Sequence, residues 1–223
     1  VFHGLASPTP MVAMKAAKAL GKEFTYVTLS DGLDHDWSNP PTVASTLTAN
    51  TYEGSVATFG LDEIFDLYAS GKGDIAFLSC LQMDKSGRIA MSYLGGDYDH
   101  PKLRGPGGAG SATLTPVTPR TTIWKTVHDK RTFVEHVDFA TTAPDINKDF
   151  TLITPLCIFR KPAGEKYLKL DCIFPYTTVE EVKENTGWII DEKEAPVMDP
   201  PTEQELAALK RVDPHNILAF EFK

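Results

Sequence analysis

The stretch from Asp74 to Ser111 constrains the fold more than any other part of this sequence. It holds an apolar run (Ile75–Leu81), a polar turn, a second apolar run (Ile89–Ser92) and a loop with four glycines in six residues (Gly105–Gly110). Because the first run is apolar on both faces, it predicts a strand in the middle of a sheet that helices cover. The sequence therefore predicts an α/β fold.

The glycine-rich loop predicts a binding site beyond the end of this strand. In open α/β sheets, ligands collect at the carboxyl ends of the strands, and glycines let backbone N–H groups approach an anion or a developing oxyanion. A phosphate and a thioester oxygen both fit this pattern. The small residues that follow favour the start of a helix, whose N-terminus also attracts negative charge. An ordinary connection is the alternative, since glycine and proline punctuate turns.

Polar residues follow the predicted central strand. Gln82 is placed to hydrogen-bond a thioester, and Asp84 either contributes to the site or only fixes the turn at Lys85–Gly87. We count Gln82 among the candidate substrate-binding residues. Together with it we place the loop residues Gly107, Gly108, Ala109 and Gly110.

Length and charge limit the classes of function. At 223 residues, with 42% hydrophobic and 23% charged residues, the chain is predicted to form one domain over residues 1–223. The net charge of −8 argues against nucleic acid as a partner, because phosphate contact needs clustered Lys and Arg. The sequence holds no apolar run of about 18 residues, so no membrane span is predicted.

The cysteines and the start of the chain add two expectations. Cys80, Cys157 and Cys172 form no close pair, so we expect reduced packing residues in a cytoplasmic protein and no metal site. The chain starts without Met, and Val1–Gly4 resembles the end of a strand. We therefore expect an initial helix and the start of that first strand to be missing.

The first loop, Leu5–Pro10, leads into a predicted helix over Met11–Leu20, which Ser7 or Thr9 would cap and Gly21 would end. Ser7 is a candidate substrate-binding residue on one wall of the predicted site; a plain capped helix is the alternative. Further helices are predicted over Gly60–Gly71, Val179–Asn185 and Thr202–Val212. The predicted strands are Phe24–Leu29, Arg120–Val127, Arg131–Phe139, Thr151–Phe159 and Tyr167–Ile173.

The polar segment Asp34–Ser55 is predicted to be either a functional lid or a disordered connection. His35 is a candidate base, although a histidine in a polar loop is more often solvated. Glu53 is a candidate catalytic carboxylate. Its alternative is a solvated loop residue.

Several segments, taken together, resemble the β-type subunits of class I coenzyme A transferases, the glutaconate CoA-transferase type. They are Asp74–Phe77 with Gln82–Gly87, and Gly105–Ala109, supported by Gly4–Pro10, Arg120–Trp124 with Arg131–Val137, Thr177–Val182 and Pro201–Pro214. This resemblance implies a three-layer α/β/α domain with a mostly parallel central sheet. It also implies a homologous α-type partner in a heterodimer or heterotetramer, and an acyl-CoA substrate with no tightly bound cofactor.

At one position the sequence departs from that family. β-type subunits carry a nucleophilic glutamate two residues before a glycine, and it forms a glutamyl-CoA thioester. Here the segment reads Leu29-Ser30-Asp31-Gly32, so Leu29 or Ser30 replaces the glutamate. Asp31 is adjacent, with a shorter side chain on another face of the backbone. Ser30, Asp31 and Glu53 are therefore the catalytic candidates.

The missing glutamate leaves three functions open. The chain resembles β-type transferase subunits acting on CoA thioesters of carboxylic or dicarboxylic acids. It also resembles glutamate-lacking relatives, a 3-methylglutaconyl-CoA decarboxylase and a ring-opening CoA-thioester hydrolase. A silent scaffold for an active partner is the third. The basic residues Arg120, Lys125, Lys130 and Arg131 would form a rim for the CoA phosphates, or else lie solvated at strand ends.

Overall fold

Two groups of elements make up the part of the chain that the computed structural model describes, residues 1–30 and 32–222. The first unit comprises residues 1–77 and 200–223, and the second comprises residues 78–199. The predicted single domain over residues 1–223 stays a prediction.

All five described α-helices were predicted from local sequence signals. Gly21 and Gly71 follow the ends of the first two with φ of +77° and +78°, as expected for glycines past a helix end. Thr178 and Thr202 cap two others through their hydroxyls, which accept from the amides of Glu181 and Glu205. The helices are α1 (Pro8–Ala19), α2 (Leu61–Ala69), α3 (Ala109–Val117), α4 (Val179–Asn185) and α5 (Glu203–Val212).

Twelve short strands are described. They are β1 (Phe2–His3), β2 (Gly32–Leu33), β3 (Ala57–Thr58), β4 (Ile75–Leu78), β5 (Gln82–Met83), β6 (Ile89–Ala90), β7 (Tyr93–Gly96), β8 (Pro101–Arg104), β9 (Arg120–Trp124), β10 (Asp149–Ile153), β11 (Cys157–Lys161) and β12 (Lys169–Ile173). The predicted hairpin after the central strand is present as β5 and β6, which pair antiparallel. The hairpin of β7 and β8 was not predicted.

In the first unit, β1 and β4 pair in parallel, with Phe2 opposite Ala76. β2 pairs antiparallel with β3. Helix α1 buries Met11, Val12 and Met14 and contacts α5. The fully buried rings of Phe2 and Tyr68 meet edge to face at 5.9 Å, so this core is apolar and aromatic.

In the second unit, four strands pair in the order β9, β10, β11, β12. The first pairing is parallel and the next two are antiparallel. The aromatic core beside them holds Phe133, Phe150, Phe159 and Trp188, with Phe133 and Trp188 5.9 Å apart. The strand pairings of the chain are therefore mixed.

Three predicted strands are wrong in extent. Phe24–Leu29 forms only isolated bridges at Val27, because the amide of Tyr26 donates to the Asp34 carboxylate instead of to a neighbouring strand. Arg131–Phe139 contributes a single bridge at Phe133. The run Thr151–Phe159 is two strands, β10 and β11, because residues 154–156 form the turn between them.

Candidate functional site

The glycine-rich loop is fixed to the chain segment that follows the β5–β6 hairpin. The amide of Gly105 donates to the carbonyl of Ser92 at 2.9 Å, and the amide of Gly107 donates to the carbonyl of Met91 at 3.0 Å. A Cβ atom at Gly105 would lie 2.1 Å from the Met91 carbonyl oxygen, so only glycine allows this approach. The loop is therefore held in place by backbone hydrogen bonds.

Four consecutive backbone amides at the start of α3, just after these two hydrogen bonds, have no acceptor in the described part of the chain. Within residues 1–30 and 32–222, no group accepts a hydrogen bond from the amides of Gly108, Ala109, Gly110 or Ser111. They form the N-terminal end of α3, where the helix dipole adds positive potential. The Ser111 hydroxyl closes this turn by donating to the carbonyl of Gly108 at 2.5 Å. The arrangement can hold an anion or stabilise an oxyanion.

The backbone of this turn is strained at one residue. Ala109 has a φ of +40°, a conformation that side chains with a Cβ rarely adopt. Such strain persists only where surrounding contacts impose it, and it concentrates at functional sites. The prediction that a helix opens at Ala109 is confirmed by α3.

Gln82 lies at the start of β5, close to the glycine loop. The amide of its neighbour Leu81 donates to the carbonyl of Ala90 at 3.1 Å. The Leu81 side chain lies 2.7 Å from the position that a Cβ atom of Gly105 would occupy, which places this strand next to the loop. The Oε1 atom of Gln82 accepts a long hydrogen bond, 3.4 Å, from the amide of Asp138. Its Nε2 atom has no acceptor among the described residues and is available to a ligand.

Asp84 fixes the hairpin turn. Its buried carboxylate accepts from the amide and hydroxyl of Ser86 at 3.0 and 2.6 Å, and from Nε of Arg88 at 2.7 Å. The interpretation of Asp84 as a turn residue is therefore confirmed. Arg88, partnered in this way, is an ion-pair residue of the turn.

Ser7 lies in the first unit, in the loop before α1. Its side chain is buried, and its hydroxyl donates to the carbonyl of Leu5 at 3.2 Å. Among the described residues no side-chain hydrogen bond caps α1, so the expected capping by Ser7 or Thr9 is wrong. Ala6 in the same loop has a φ of +50°, a second strained alanine in a loop that the sequence implicated.

The three catalytic candidates have different surroundings. The Ser30 hydroxyl is half-buried and lies 2.7 Å from the hydroxyl of Thr51 and 3.3 Å from that of Thr28. Glu53 is exposed and accepts from the Asn39 side chain at 2.9 Å. Asp31 lies outside the described residues. No hydrogen bond joins Ser30 to Glu53 in the described part of the chain.

The segment 34–55 packs against other parts of the first unit. The hydroxyl of Thr46 donates to the carbonyl of Gly4 at 3.2 Å, and the ammonium of the buried Lys15 donates to the carbonyl of Asn39 at 3.0 Å. Burial lowers the pKa of Lys15 to about 8. The segment is therefore an ordered part of this unit.

His35 is not the solvated loop histidine that the sequence suggested. Its side chain is 3% exposed and neither ring nitrogen has a partner within the described residues. Burial lowers its pKa to about 3, and the positive charge of Lys15 acts in the same direction. The ring packs edge to face on Tyr26 at 4.5 Å. A neutral ring enclosed in this way is a poor base.

A buried histidine that the sequence interpretation missed lies next to the first loop. His3 receives a 2.5 Å hydrogen bond at Nε2 from the hydroxyl of Tyr26, and its Nδ1 donates to the carbonyl of Gly4 at 3.1 Å. Burial lowers the pKa of His3 to about 4, so the neutral ring is the stable form. The only sequence signal was its position at the end of the first strand.

The predicted basic rim is partly used by the fold. Lys125 donates to the carbonyl of Cys80 at 2.8 Å, and Arg131 pairs with Asp129 at 3.0 Å. Arg120 and Lys130 are exposed. Lys125 and Arg131 therefore have partners within the fold, and a phosphate rim that includes Arg120 and Lys130 stays a prediction.

Metal clusters and membrane-spanning helices are both absent from the described residues. Among residues 1–30 and 32–222, no three His, Cys, Asp or Glu side chains are grouped so as to hold a metal ion. Within the same residues, every helix is too short or too polar to cross a membrane. The three cysteines are free and buried, as predicted.

Comparison with known proteins identifies relatives of this chain. It is 34% identical over 167 residues to the B-type subunit of the 3-oxoadipate CoA-transferase of Pseudomonas knackmussii, a match that covers 68% of this chain and 63% of that protein. It is 26% identical over 156 residues to the B-type subunit of the glutaconate CoA-transferase of Acidaminococcus fermentans, covering 63% and 57%. The matched region thus spans less than two thirds of the length of either curated relative.

A solved structure matches nearly the whole chain. The crystal structure of the decarboxylase AibA/AibB superposes with a TM-score of 0.89 and 27% identity, over 99% of this chain and 90% of that one. The predicted α/β class with a mostly parallel central sheet is confirmed by this likeness. Residues 43–185 match the model of the family described as coenzyme A transferase. Because that match covers more than half of its residues, the chain belongs to the coenzyme A transferase family.

Proposed function

We propose that this chain is the β-type subunit of a heteromeric enzyme that acts on the CoA thioester of a carboxylic or dicarboxylic acid. The observation that carries the proposal is the run of four amides from Gly108 to Ser111, which lies beside the β5–β6 hairpin and has no acceptor among residues 1–30 and 32–222. Family membership supports the acyl-CoA as the ligand of these amides. The names of the two curated relatives, both B-type subunits of a CoA-transferase, support an α-type partner.

The proposed role of the loop is to stabilise the oxygen of the thioester carbonyl. Attack on a thioester, or removal of a carboxylate next to one, moves negative charge onto that oxygen. Amides that already point at the oxygen need no reorganisation when the charge develops, and one such donor is typically worth about 10²–10³ in rate. The free Nε2 of Gln82 supplies a further donor to the same ligand.

The missing glutamate bears on the reaction type. A transferase of this family needs a carboxylate to form an acyl anhydride and then an enzyme thioester, and Ser30 supplies only a hydroxyl that Thr51 and Thr28 already contact. The second candidate function is therefore decarboxylation or ring-opening hydrolysis of an acyl-CoA. The superposition on the AibA/AibB decarboxylase over 99% of this chain supports it, whereas the 34% identity to the 3-oxoadipate CoA-transferase subunit supports transfer. In either case the α-type partner would supply further acid–base groups.

A trapping experiment separates these functions. The chain, assembled with its α-type partner, is incubated with glutaryl-CoA and then treated with borohydride, which reduces a glutamyl-CoA thioester to an alcohol. We expect peptide mass spectrometry to find no reduced glutamate in this chain. A reduced Glu53 would establish a transferase mechanism with a displaced nucleophile.

Single replacements test whether the chain acts in the chemistry at all. In the complex, acyl-CoA turnover of Ser30→Ala, Asp31→Ala and Glu53→Ala is compared with that of the natural chain. If all three retain full turnover, the non-catalytic scaffold becomes the favoured function. If the natural complex neither binds nor converts any acyl-CoA, the proposed function itself is wrong.

We also propose a cytoplasmic location and no tightly bound cofactor. The three buried free thiols support a reducing compartment, since cysteines of proteins in oxidising compartments commonly form disulfides. Mass spectrometry of the purified complex under native conditions would detect any retained cofactor.

A further inference from the structure

Two hydroxyls near the glycine loop form a pair that the proposed chemistry above does not use. Oγ1 of Thr141 and Oγ of Ser92 lie 2.9 Å apart. Both residues are half-buried, so neither is sealed in the core. Neither was predicted as a site residue from the sequence.

Thr141 has an unusually complete set of hydrogen bonds. Its Oγ1 accepts from the amide of Met91 at 2.9 Å and from the amide of Ser92 at 3.0 Å. A hydroxyl oxygen has two lone pairs and one proton. Because the two amides occupy both lone pairs, the Thr141 hydroxyl must donate its own proton to Ser92.

This assignment fixes the direction of the Ser92 proton. Since Ser92 Oγ accepts from Thr141, its own hydrogen points elsewhere. No acceptor among residues 1–30 and 32–222 bonds to Ser92 Oγ, which has Thr141 as its one side-chain partner there. The result is a hydroxyl donor with a set orientation and no protein acceptor within the described part of the chain.

The pair lies directly against the loop that holds the four free amides. The carbonyl of Ser92 accepts from Gly105, and the carbonyl of Met91 accepts from Gly107. On its other side, the Thr141 methyl lies 3.1 Å from where a Cβ of Gly108 would be. Thr141 therefore contacts both the anchor of the loop and the residue at which the free amides begin.

We propose that Ser92 is a substrate-binding residue that donates a hydrogen bond to the acyl portion of the CoA thioester, and that Thr141 is the residue that positions it. This inference rests on the proposed function, because it takes the ligand of the glycine loop to be an acyl-CoA. In a CoA thioester, the pantetheine arm separates the acyl group from the nucleotide phosphates. The Ser92 hydroxyl, next to the loop that we assign to the thioester oxygen, would therefore bind the acyl group and not the phosphates. An acceptor on the acyl group, a carbonyl or carboxylate oxygen, is the partner that this chemistry selects.

Binding measurements on the complex with the α-type partner test the proposal. The probes are free coenzyme A and the carba(dethia) ketone analogue of glutaryl-CoA, in which a methylene replaces sulfur and prevents turnover. For Ser92→Ala we expect roughly tenfold weaker binding of the analogue, the usual size for loss of one substrate hydrogen bond. We expect unchanged binding of free coenzyme A and an unchanged melting temperature.

Variants of Thr141 separate positioning from a general structural role. Thr141→Ser keeps the hydroxyl, so it should bind the analogue like the natural chain. Thr141→Val removes the hydroxyl, so it should weaken analogue binding. In the Ser92→Ala background, replacing Thr141 with Val should produce a much smaller further loss, because the donor that Thr141 orients is already gone.

Two outcomes are decisive. If Ser92→Ala binds the analogue as tightly as the natural chain, or loses affinity for coenzyme A equally, the inference is overturned. If the natural complex binds neither probe, the proposed function has failed instead. The two failures are therefore distinguishable in one set of titrations.

Discussion

The α-carbon of Gly105 lies so close to the carbonyl oxygen of Met91 that a Cβ atom would be 2.1 Å from it. That separation is far below any normal contact between a carbon and an oxygen. The backbone bonds that anchor the glycine loop exist because residue 105 has no side chain. The position of the free amides therefore depends on one missing methyl group.

Gly105→Ala should displace the loop and abolish at least about 90% of acyl-CoA turnover, because one misplaced oxyanion donor alone costs about 10²–10³. Gly164→Ala is the matched control. Gly164 has a φ of +87° with open space around its Cβ position, so its replacement should cost about 1 kcal/mol of stability and no activity. Steady-state kinetics and urea unfolding of both variants check the prediction. Full turnover by Gly105→Ala would contradict it.

Ala109→Gly should relieve backbone strain at the start of α3. A left-handed conformation costs a residue with a Cβ about 1–2 kcal/mol, and glycine adds about 0.5–1 kcal/mol of chain entropy, so we expect no loss and up to about 1 kcal/mol of gain. Ala112→Gly, at an exposed position inside the same helix, should instead lose about 1 kcal/mol. Chemical unfolding measures both. An equal loss in the two variants would show that Ala109 is not strained.

Local signals explain why most helices could be predicted. The capping box at Thr202 and Glu205, the cap at Thr178 and the glycine after α1 all lie within a few residues of the ends that they fix. The turn at Asp84 is equally local, since its carboxylate bonds to residues two and four positions on. Each of these features depends on one short stretch of sequence and can therefore be predicted from it.

The errors concern pairing and burial, which distant residues decide. Phe24–Leu29 has the β-branched and aromatic composition of a strand. The amide of Tyr26, however, donates to the Asp34 carboxylate and is not available to pair with a neighbouring strand. His35 stands among polar residues in the sequence, but packing on Tyr26 encloses it. Ser92 and Thr141 are 49 positions apart, and no local sequence pattern around either residue predicts their contact.

Lys161→Met should destabilise the second unit. The Lys161 side chain is buried, and the nitrogen of its ammonium, which has three N–H donors, lies 3.0 to 3.4 Å from the carbonyl oxygens of Asp145, Ile146, Lys148 and Glu165. Methionine fills the same space but leaves the carbonyls of Lys148 and Glu165 without a donor among the described residues, at a cost of about 1–3 kcal/mol, whereas those of Asp145 and Ile146 keep their amide donors. Lys166→Met, at an exposed lysine nearby in sequence, is the control and should change stability by less than about 0.5 kcal/mol. An unchanged unfolding midpoint in Lys161→Met would contradict the prediction.

His35→Phe should stabilise the chain and reduce its sensitivity to acid. Burial lowers the pKa of His35 from 6.5 to about 3, so between these two values the unfolded chain binds a proton that the folded chain does not. Stability therefore falls as the pH drops through this window, and removing the imidazole removes that contribution. Phenylalanine also replaces two ring nitrogens that have no partner in the described part of the chain with an apolar edge, for an expected gain of about 1–3 kcal/mol. Urea unfolding from pH 8 to pH 4 should give a flatter stability curve for His35→Phe, whereas His100→Gln, at an exposed histidine, should follow the natural chain. Parallel curves for His35→Phe and the natural chain would mean that His35 takes up its proton in the folded state without cost.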